Sequence, residues 1–559
     1  MIQKIDLEEQ INDAFVSLGF PPRGNQVSIC LDVLDKFINE EKRNVCLCAG
    51  TGVGKSVISA VIARVLDKAT PDNNALPSIT CVGTNALSKQ YSESFSDLGK
   101  YEYFQIMGAS NYSCAFMEGQ LSNPIKTADQ CVKSKLMPQE VDRYCKGCEY
   151  DEAKKVVNST ANLVTNYTYY MISALASNHL KKRKLFVADE SHTLNEWFCS
   201  YAEILVSVDN IDRYIKELGD TNGKCDDQIA GLIMLKQKVS SSEITEENYT
   251  QYLEILCSLY NSVADVLASQ SSQLKSIDVV KSGKYDKLSS KYISLGSKIS
   301  DLFNNEYDHV FDNSVPGTFT IKTIFIGKMM GKLLTDYNLF MSATITPDYA
   351  FDVLELDRDE TSFILLPPVF PPENKPLFFI GKNALNYNSL KDPDVIDVMK
   401  HSVKSIIDFH AGQKGLILSP SFYLGSQMVY RLQGTKVFEH KSGVKLQDLI
   451  LDFKRYKGSA VLVSPSIWEG LDFPEDDSRF QIILKSPYPN LSDKRVKHIA
   501  DKYPHIYQEM TLLKLLQGVG RSIRSPIDTA ATYFIDPSSK KIYNGKQNLW
   551  KDHYDVKTN

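Results

Sequence analysis

Ala49-Gly50-Thr51-Gly52-Val53-Gly54-Lys55-Ser56 lies between an apolar run, Val45-Cys46-Leu47-Cys48, and a stretch of small and branched residues from Val57 to Leu66. The first flank reads as a buried strand and the second as a helix. A glycine-rich turn between strand and helix, closed by Lys-Ser, wraps successive backbone amides around a phosphate. Gly52 and Gly54 permit backbone angles and close approach that a Cβ would block. Gly50, Thr51, Gly52, Val53, Gly54, Lys55 and Ser56 are therefore the expected nucleotide loop. Lys55 is placed for the β and γ phosphates, and the Ser56 hydroxyl for Mg²⁺.

At 559 residues the chain is long for a single core, so three or four domains are expected. An apolar fraction of 43% and a charged fraction of 23% are ordinary for a soluble protein. Met1 to Glu9 has no apolar core of a signal peptide. No apolar run approaches the ~20 residues that span a bilayer. A net charge of -5 does not advertise a polyanion partner, but it says little about a local groove. Of eleven cysteines, Cys46, Cys48 and Cys81 sit in apolar runs as small core residues. Cys114, Cys131, Cys145 and Cys148 fall instead in a polar, turn-rich insert, with sixteen, thirteen and two residues between them. Four thiolates so spaced suit tetrahedral Zn²⁺ or a [4Fe-4S] cluster, and the spacing alone does not separate the two.

Upstream of the loop, Ile5 to Leu18 and Gln26 to about Ile38 read as helices around the turn Pro21-Pro22-Arg23-Gly24. The Gln26 amide can donate and accept together, which suits an adenine edge, and Arg23 stands beside it. Pro77 to Val82 reads as a strand running into Thr84-Asn85-Ala86-Leu87-Ser88-Lys89-Gln90, whose polar groups suit a ligand backbone or a helix cap. Lys181-Lys182-Arg183-Lys184 reads equally as a solvated strand entrance or as a phosphate contact. It precedes the apolar strand Leu185 to Ala188, which ends in Asp189-Glu190-Ser191-His192. After a phosphate loop, two such carboxylates have complementary roles, in which Asp189 holds the Mg²⁺ shell and Glu190 orients or deprotonates the attacking water. Tyr201 to about Asp312 reads as mostly helical. Ser342 and Thr344 of Leu339-Phe340-Met341-Ser342-Ala343-Thr344 can link a nucleotide-sensing turn to its neighbours. A second α/β pattern begins near Asp392, with strands at 416–418, 436–438, 460–463, 481–484 and 532–535 and no second phosphate loop. Its Arg521 and Arg524 lie three apart on one helical face and suit a γ-phosphate bound by the first unit.

Together these segments resemble the superfamily 2 helicases of the iron-sulfur group that includes XPD and DinG proteins. The resemblance rests on Arg23-Gly24-Asn25-Gln26, Gly50 to Ser56, Thr84 to Gln90, Ala161 to Tyr167, Asp189 to His192 and Ser342-Ala343-Thr344. It continues through Ser419-Pro420-Ser421-Phe422, Trp468-Glu469-Gly470-Leu471-Asp472 and Gln517 to Arg524. Ser191 stands where the family usually has alanine, and Ser466-Ile467 precedes Trp468 where an aromatic pair is common. The chain begins only about fifty residues before Lys55, which leaves no room for the nuclease domain of some relatives.

The resemblance implies an α/β fold of two RecA-like P-loop motor domains, with an iron-sulfur cluster insert and a helical arch insert. The expected bounds are 1–108, 158–200 and 316–375 for the first motor domain and its linker. They are 109–157 for the cluster domain, 201–315 for the arch and 376–559 for the second motor domain. ATP, Mg²⁺ and a [4Fe-4S] cluster are the implied cofactors, with Cys114, Cys131, Cys145 and Cys148 as cluster ligands. Gln26 is implied to read the base, while Asp472 and Gln517 support the interdomain ATP site. Thr84, Asn85, Gln90, Ser419, Ser421 and Trp468 are implied near nucleic acid. The implied activity is 5′ to 3′ translocation on single-stranded DNA and opening of duplexes or R-loops, in replication or repair. A remodeller that displaces bound protein or RNA, and an RNA-specific motor, are the alternatives. Implied partners are single-stranded DNA and its junctions, DNA–RNA hybrids and a single-strand-binding protein. The implied setting is a monomer away from membranes, in the cytoplasm, nucleoid or nucleus.

Overall fold

The computed structural model describes all residues except 1–3, 51, 73, 97–102, 115–127, 129–145, 178–179, 222, 305–306, 369, 383–384, 431, 469–470, 524–526, 546–552 and 558–559. Two seven-stranded sheets, each parallel throughout, carry the architecture. In the first, the strands run in the order 361–365, 44–48, 337–342, 183–189, 76–82, 162–166 and 103–105. In the second, the order is 436–439, 460–464, 414–418, 480–483, 531–534, 376–379 and 555–557. Parallel strands buried on both faces need apolar side chains on both, and that is how these read. Val45 and Leu47 face one core of the first sheet, whereas Cys46 faces the other. Leu185 and Val187 alternate with Phe186 and Ala188 in the same way.

Helices Lys4–Ser17, Gln26–Ile38 and Lys55–Ala69 cover one face of the first sheet. The second sheet is likewise clothed on both sides by separate apolar clusters. The basic run divides, with Lys181 and Lys182 exposed at the strand entrance and Arg183 and Lys184 buried. Arg183 is 3% exposed, and its guanidinium donates to the carbonyls of Ser78 and Ala161 at 2.8 Å and of Val157 at 2.6 Å. Lys184 is buried and pairs with Asp67 at 2.8 Å. Neither is a solvated entrance or a phosphate contact; both tie strands and helices together.

Between the strands of the first sheet, helices Val208–Gly219, Asp226–Ser240, Tyr249–Leu274 and Val279–Asn304 form the expected helical insert. Tyr214, Tyr260 and Tyr292 pack within it, with ring centroids 5.6–5.9 Å apart. The insert is not helical throughout. Its base is an antiparallel sheet of Ile204–Ser207, Thr318–Thr323 and His309–Asp312, which crosses the expected boundary at 315/316. Helix Lys494–Lys502 of the second unit leans on this base. There Lys322 lies between Asp312 at 2.9 Å and Asp493 at 2.8 Å. The short strands and charged ends carry too little apolar alternation to stand out from the helices around them.

Candidate active site

The loop after the strand Asn44–Cys48 turns through left-handed backbone at Gly52 (φ 89°) and Gly54 (φ 83°), then opens the helix Lys55–Ala69. The angle favours glycine at Gly54, and a Cβ there would lie 2.5 Å from Nε2 of Gln26 and displace that amide. Gln26 is 7% exposed, donates to the Val53 carbonyl at 2.8 Å and accepts from the Arg23 amide at 2.9 Å. Its amide therefore shapes the phosphate loop in this conformation, a role distinct from the base contact expected of it. Phe370 of the linker packs on the other side, its ring 3.2 Å from where a Gly52 Cβ would be.

Asp189 and Glu190 stand at the carboxyl end of the strand next but one to the loop. Lys55 donates to the Ala49 carbonyl at 3.3 Å and lies 3.7 Å from Glu190. Glu190 adopts left-handed backbone (φ 52°), which is rare for a residue with a Cβ and clusters at functional turns. Asp189 accepts from the Tyr91 hydroxyl at 3.2 Å and from the Glu190 amide at 3.1 Å. Burial, then the neighbouring Glu190 charge, pushes its carboxyl up to about 6. Against an ordinary 3.8, that disfavours the charged form by on the order of 3 kcal/mol. A cation at this carboxylate would offset that cost, and an aspartate beside a phosphate loop is a suitable hard-oxygen donor.

His192 joins this centre to the second sheet. Its Nδ1 lies 2.8 Å from Ser342 Oγ and 3.4 Å from Glu190 Oε2, and its Nε2 meets the Gln517 amide. Ser342 Oγ also accepts from the Thr344 amide at 3.0 Å.

Residues 19–218 match the family model for the res subunit of type III restriction enzymes, and residues 405–551 match the helicase C-terminal domain. A solved XPD helicase superposes with a TM-score of 0.60 at 16% identity, covering 96% of this chain and 99% of its own. Xpd4 of S. tokodaii gives 0.59 at 15% identity, covering 96% and 100%. These matches support a superfamily 2 helicase with an XPD/DinG-like fold. The probable ATP-dependent helicase YpvA of Bacillus subtilis (strain 168) is 24% identical over 243 residues, 41% of this chain. The match spans 35% of that relative's length.

The remaining site residues of the chain are placed unevenly. Arg521 donates to the carbonyls of Leu471 and Gln517, each at 2.9 Å, and so ties the turn before Asp472 to the end of its helix. Thr51 and Arg524 lie outside the described residues. Thr84 caps the helix Asn85–Ser94, and Thr84, Gln90 and Ser421 are exposed. Ser419 is instead fully buried, with its hydroxyl on the Ser421 carbonyl at 2.7 Å. Trp468 is also turned inward. It is 4% exposed, its Nε1 donates to the Ser419 carbonyl at 3.3 Å, and its ring lies 2.8 Å from where a Gly518 Cβ would be. A ring held in a core has no face for a base, so Trp468 is a packing residue rather than the nucleic-acid contact expected.

Cys131 and Cys145 lie outside the described residues. Cys114 is buried, and Cys148 is half-buried at the start of the helix Glu149–Val157. Tyr112 and Tyr150, each two residues from one of those cysteines, pack with centroids 5.2 Å apart. Among the described residues no group of three or more potential metal ligands assembles. Tyr91 and the role of His192 were not singled out by sequence, and Tyr167 was quoted only as the end of the segment from Ala161. Tyr91, a lone aromatic in the polar run Asn85–Ser94, was the available signal.

Proposed function

We propose that this chain is an ATP-driven translocase on single-stranded nucleic acid, with DNA unwinding in the 5′ to 3′ sense as its activity. One observation carries the reading. Lys55, Asp189 and Glu190 converge beside a strained turn, and His192 connects that turn to Gln517 of the other sheet. Lys55 would bind the β and γ phosphates, and Glu190 would orient water for attack on the γ phosphorus as the bond to ADP breaks. Ser56 and Asp189 would hold Mg²⁺, which when bound neutralises charge building on the phosphates. His192 would carry the change at Glu190 to the helix that ends at Val519, and so couple turnover to relative movement of the two halves. Arg521 and Arg524 remain our proposed γ-phosphate partners, with Arg521 leaving the Leu471 carbonyl as the cleft closes.

Thr84, Asn85, Gln90 and Ser421 would position the strand by its backbone, with Ser419 and Trp468 supporting from beneath. Such contacts give little sequence preference. Cys114, Cys131, Cys145 and Cys148 would ligate a [4Fe-4S] cluster that holds the insert as a wedge. The Tyr112–Tyr150 packing supports this by bringing the two ends of the cysteine segment together. A strand-displacement panel of forks, flaps and R-loops of defined polarity, with matched DNA and RNA strands, tests the activity. Turnover without strand separation on any substrate would favour the remodeller. Iron and acid-labile sulfide analysis tests the cluster, and stoichiometric zinc without sulfide rejects it.

A further inference from the structure

Two buried tyrosines on different elements hold Asp189. Tyr91, on the helix Asn85–Ser94, donates its hydroxyl to Oδ2 at 3.2 Å. Tyr167, the first residue of the helix Tyr167–Met171, donates to the Asp189 main-chain carbonyl at 2.6 Å. They are 7% and 1% exposed, so each hydroxyl is committed within the fold.

The two helices begin side by side. Asn166 caps the second by accepting from the Tyr169 amide at 2.7 Å, and its own amide donates to Asn85 Oδ1 at the start of the first. The Asn85 amide in turn donates to Asn111 Oδ1 at 3.1 Å. Gln105 braces the same corner through the Asn85 carbonyl at 3.1 Å and Ser88 Oγ at 2.6 Å. Asn85 and Asn166 are half-buried and Asn111 is exposed, so these amides meet solvent while their helices reach the carboxylate. Tyr91 lies six residues beyond Asn85, about 9 Å along a stiff helix.

We propose that Tyr91 and Tyr167 are positioning residues that orient Asp189 according to whether a nucleic-acid strand occupies the Asn85–Asn111–Asn166 patch. The inference rests on the reading of Asp189 as the Mg²⁺ carboxylate. Phosphate oxygens of a strand compete for the amide donors that now bind one another, and sequence-independent strand binding uses such donors. Loss of the Asn85–Asn166 bond frees the two helix starts to shift separately. The Tyr91 hydroxyl then moves against Oδ2, while Oδ1 stays fixed by the Glu190 amide at 3.1 Å. Strand occupancy is thereby read at the metal carboxylate from within the first sheet, independently of the His192–Gln517 contact.

Tyr91→Phe and Tyr167→Phe each remove a single hydroxyl from the full chain. The measurement is the Mg²⁺ half-saturation for binding of a fluorescent ATP analogue, with and without an unstructured single-stranded DNA oligonucleotide. In the parent the oligonucleotide shifts the half-saturation. In each variant the half-saturation rises about two- to tenfold, the worth of one hydrogen bond, and no longer responds to the oligonucleotide. Tyr103→Phe, a buried ring 6.3 Å from that of Tyr91, keeps the parent's response. A parent-like response in both variants overturns the proposal, as does a parent that ignores the oligonucleotide. Mg²⁺ dependence that survives Asp189→Asn overturns instead the reading of Asp189 beneath it.

Discussion

The Gln517 amide hydrogen-bonds Nε2 of His192, which places the second sheet's last long helix directly on the imidazole beside Glu190. The other ring nitrogen, Nδ1, faces Ser342 Oγ at 2.8 Å. One imidazole thus joins the acidic strand end, the Ser342–Thr344 turn and the second half.

His192→Ala should separate binding from coupling. Nucleotide affinity, set by Lys55 and the loop amides, should stay close to the parent's. Strand-stimulated turnover should fall about tenfold, the equivalent of ~1.4 kcal/mol. Paired nucleotide titrations and turnover assays decide it, and equal loss in both would place His192 in binding.

Arg521→Lys should be poorly tolerated in spite of the kept charge. Arg521 donates through Nε and a terminal nitrogen to two carbonyls, a fork that an ammonium does not reproduce. Losing one such bond costs about 1–3 kcal/mol. Hydrogen exchange should rise in peptides around Leu471–Phe473, and an unchanged pattern there would count against the anchor.

Trp468→Ala should act through folding rather than strand contact. Emptying a core of this size costs about 3–5 kcal/mol. The melting temperature should fall, while strand affinity per folded molecule holds. A normal melt with weakened binding would restore the contact role.

Lys322 sits between Asp312 and Asp493 and should pin the insert's base to the second unit. Burial alone would raise Asp312, but hydrogen bonds from Ser314 and Lys322 outweigh it and hold the carboxyl at about 2. A depressed carboxyl stabilises the fold above its ordinary 3.8, and that stabilisation is lost as pH falls toward about 2. Thermal melts of Lys322→Met should lie below the parent's at neutral pH and converge with them in that window. Parallel curves down to acid pH would show that Lys322 is not the partner that matters.

The phosphate loop and the acidic strand end were legible because each needs a fixed local order. Gly52, Gly54, Lys55 and Ser56 carry their geometry in adjacent positions, and Asp189-Glu190 closes a wholly apolar strand. Long-range pairings were not legible. Nothing near Arg183 announces four carbonyls from other segments, and nothing near Trp468 announces the Gly518 backbone that receives its ring. The insert's small sheet was hidden for a related reason. Ile204–Ser207 and His309–Asp312 are four residues each, and Ile204–Ser207 pairs only with Thr318–Thr323, far along the chain. Gln26 was noticed as a hydrogen-bonding amide, but which partner it takes depends on the loop folding against it.

Coupling of nucleotide turnover at Lys55 and Glu190 to a nucleic-acid strand is what the proposed mechanism stands on. The decisive measurement is ATP hydrolysis by the full chain, with and without single-stranded DNA, beside Lys55→Ala and Glu190→Gln. Turnover in the parent should be stimulated by the strand. Lys55→Ala should lose nucleotide binding, and Glu190→Gln should bind nucleotide without turning it over. Turnover that ignores the strand, or that persists in Lys55→Ala, would contradict the coupling.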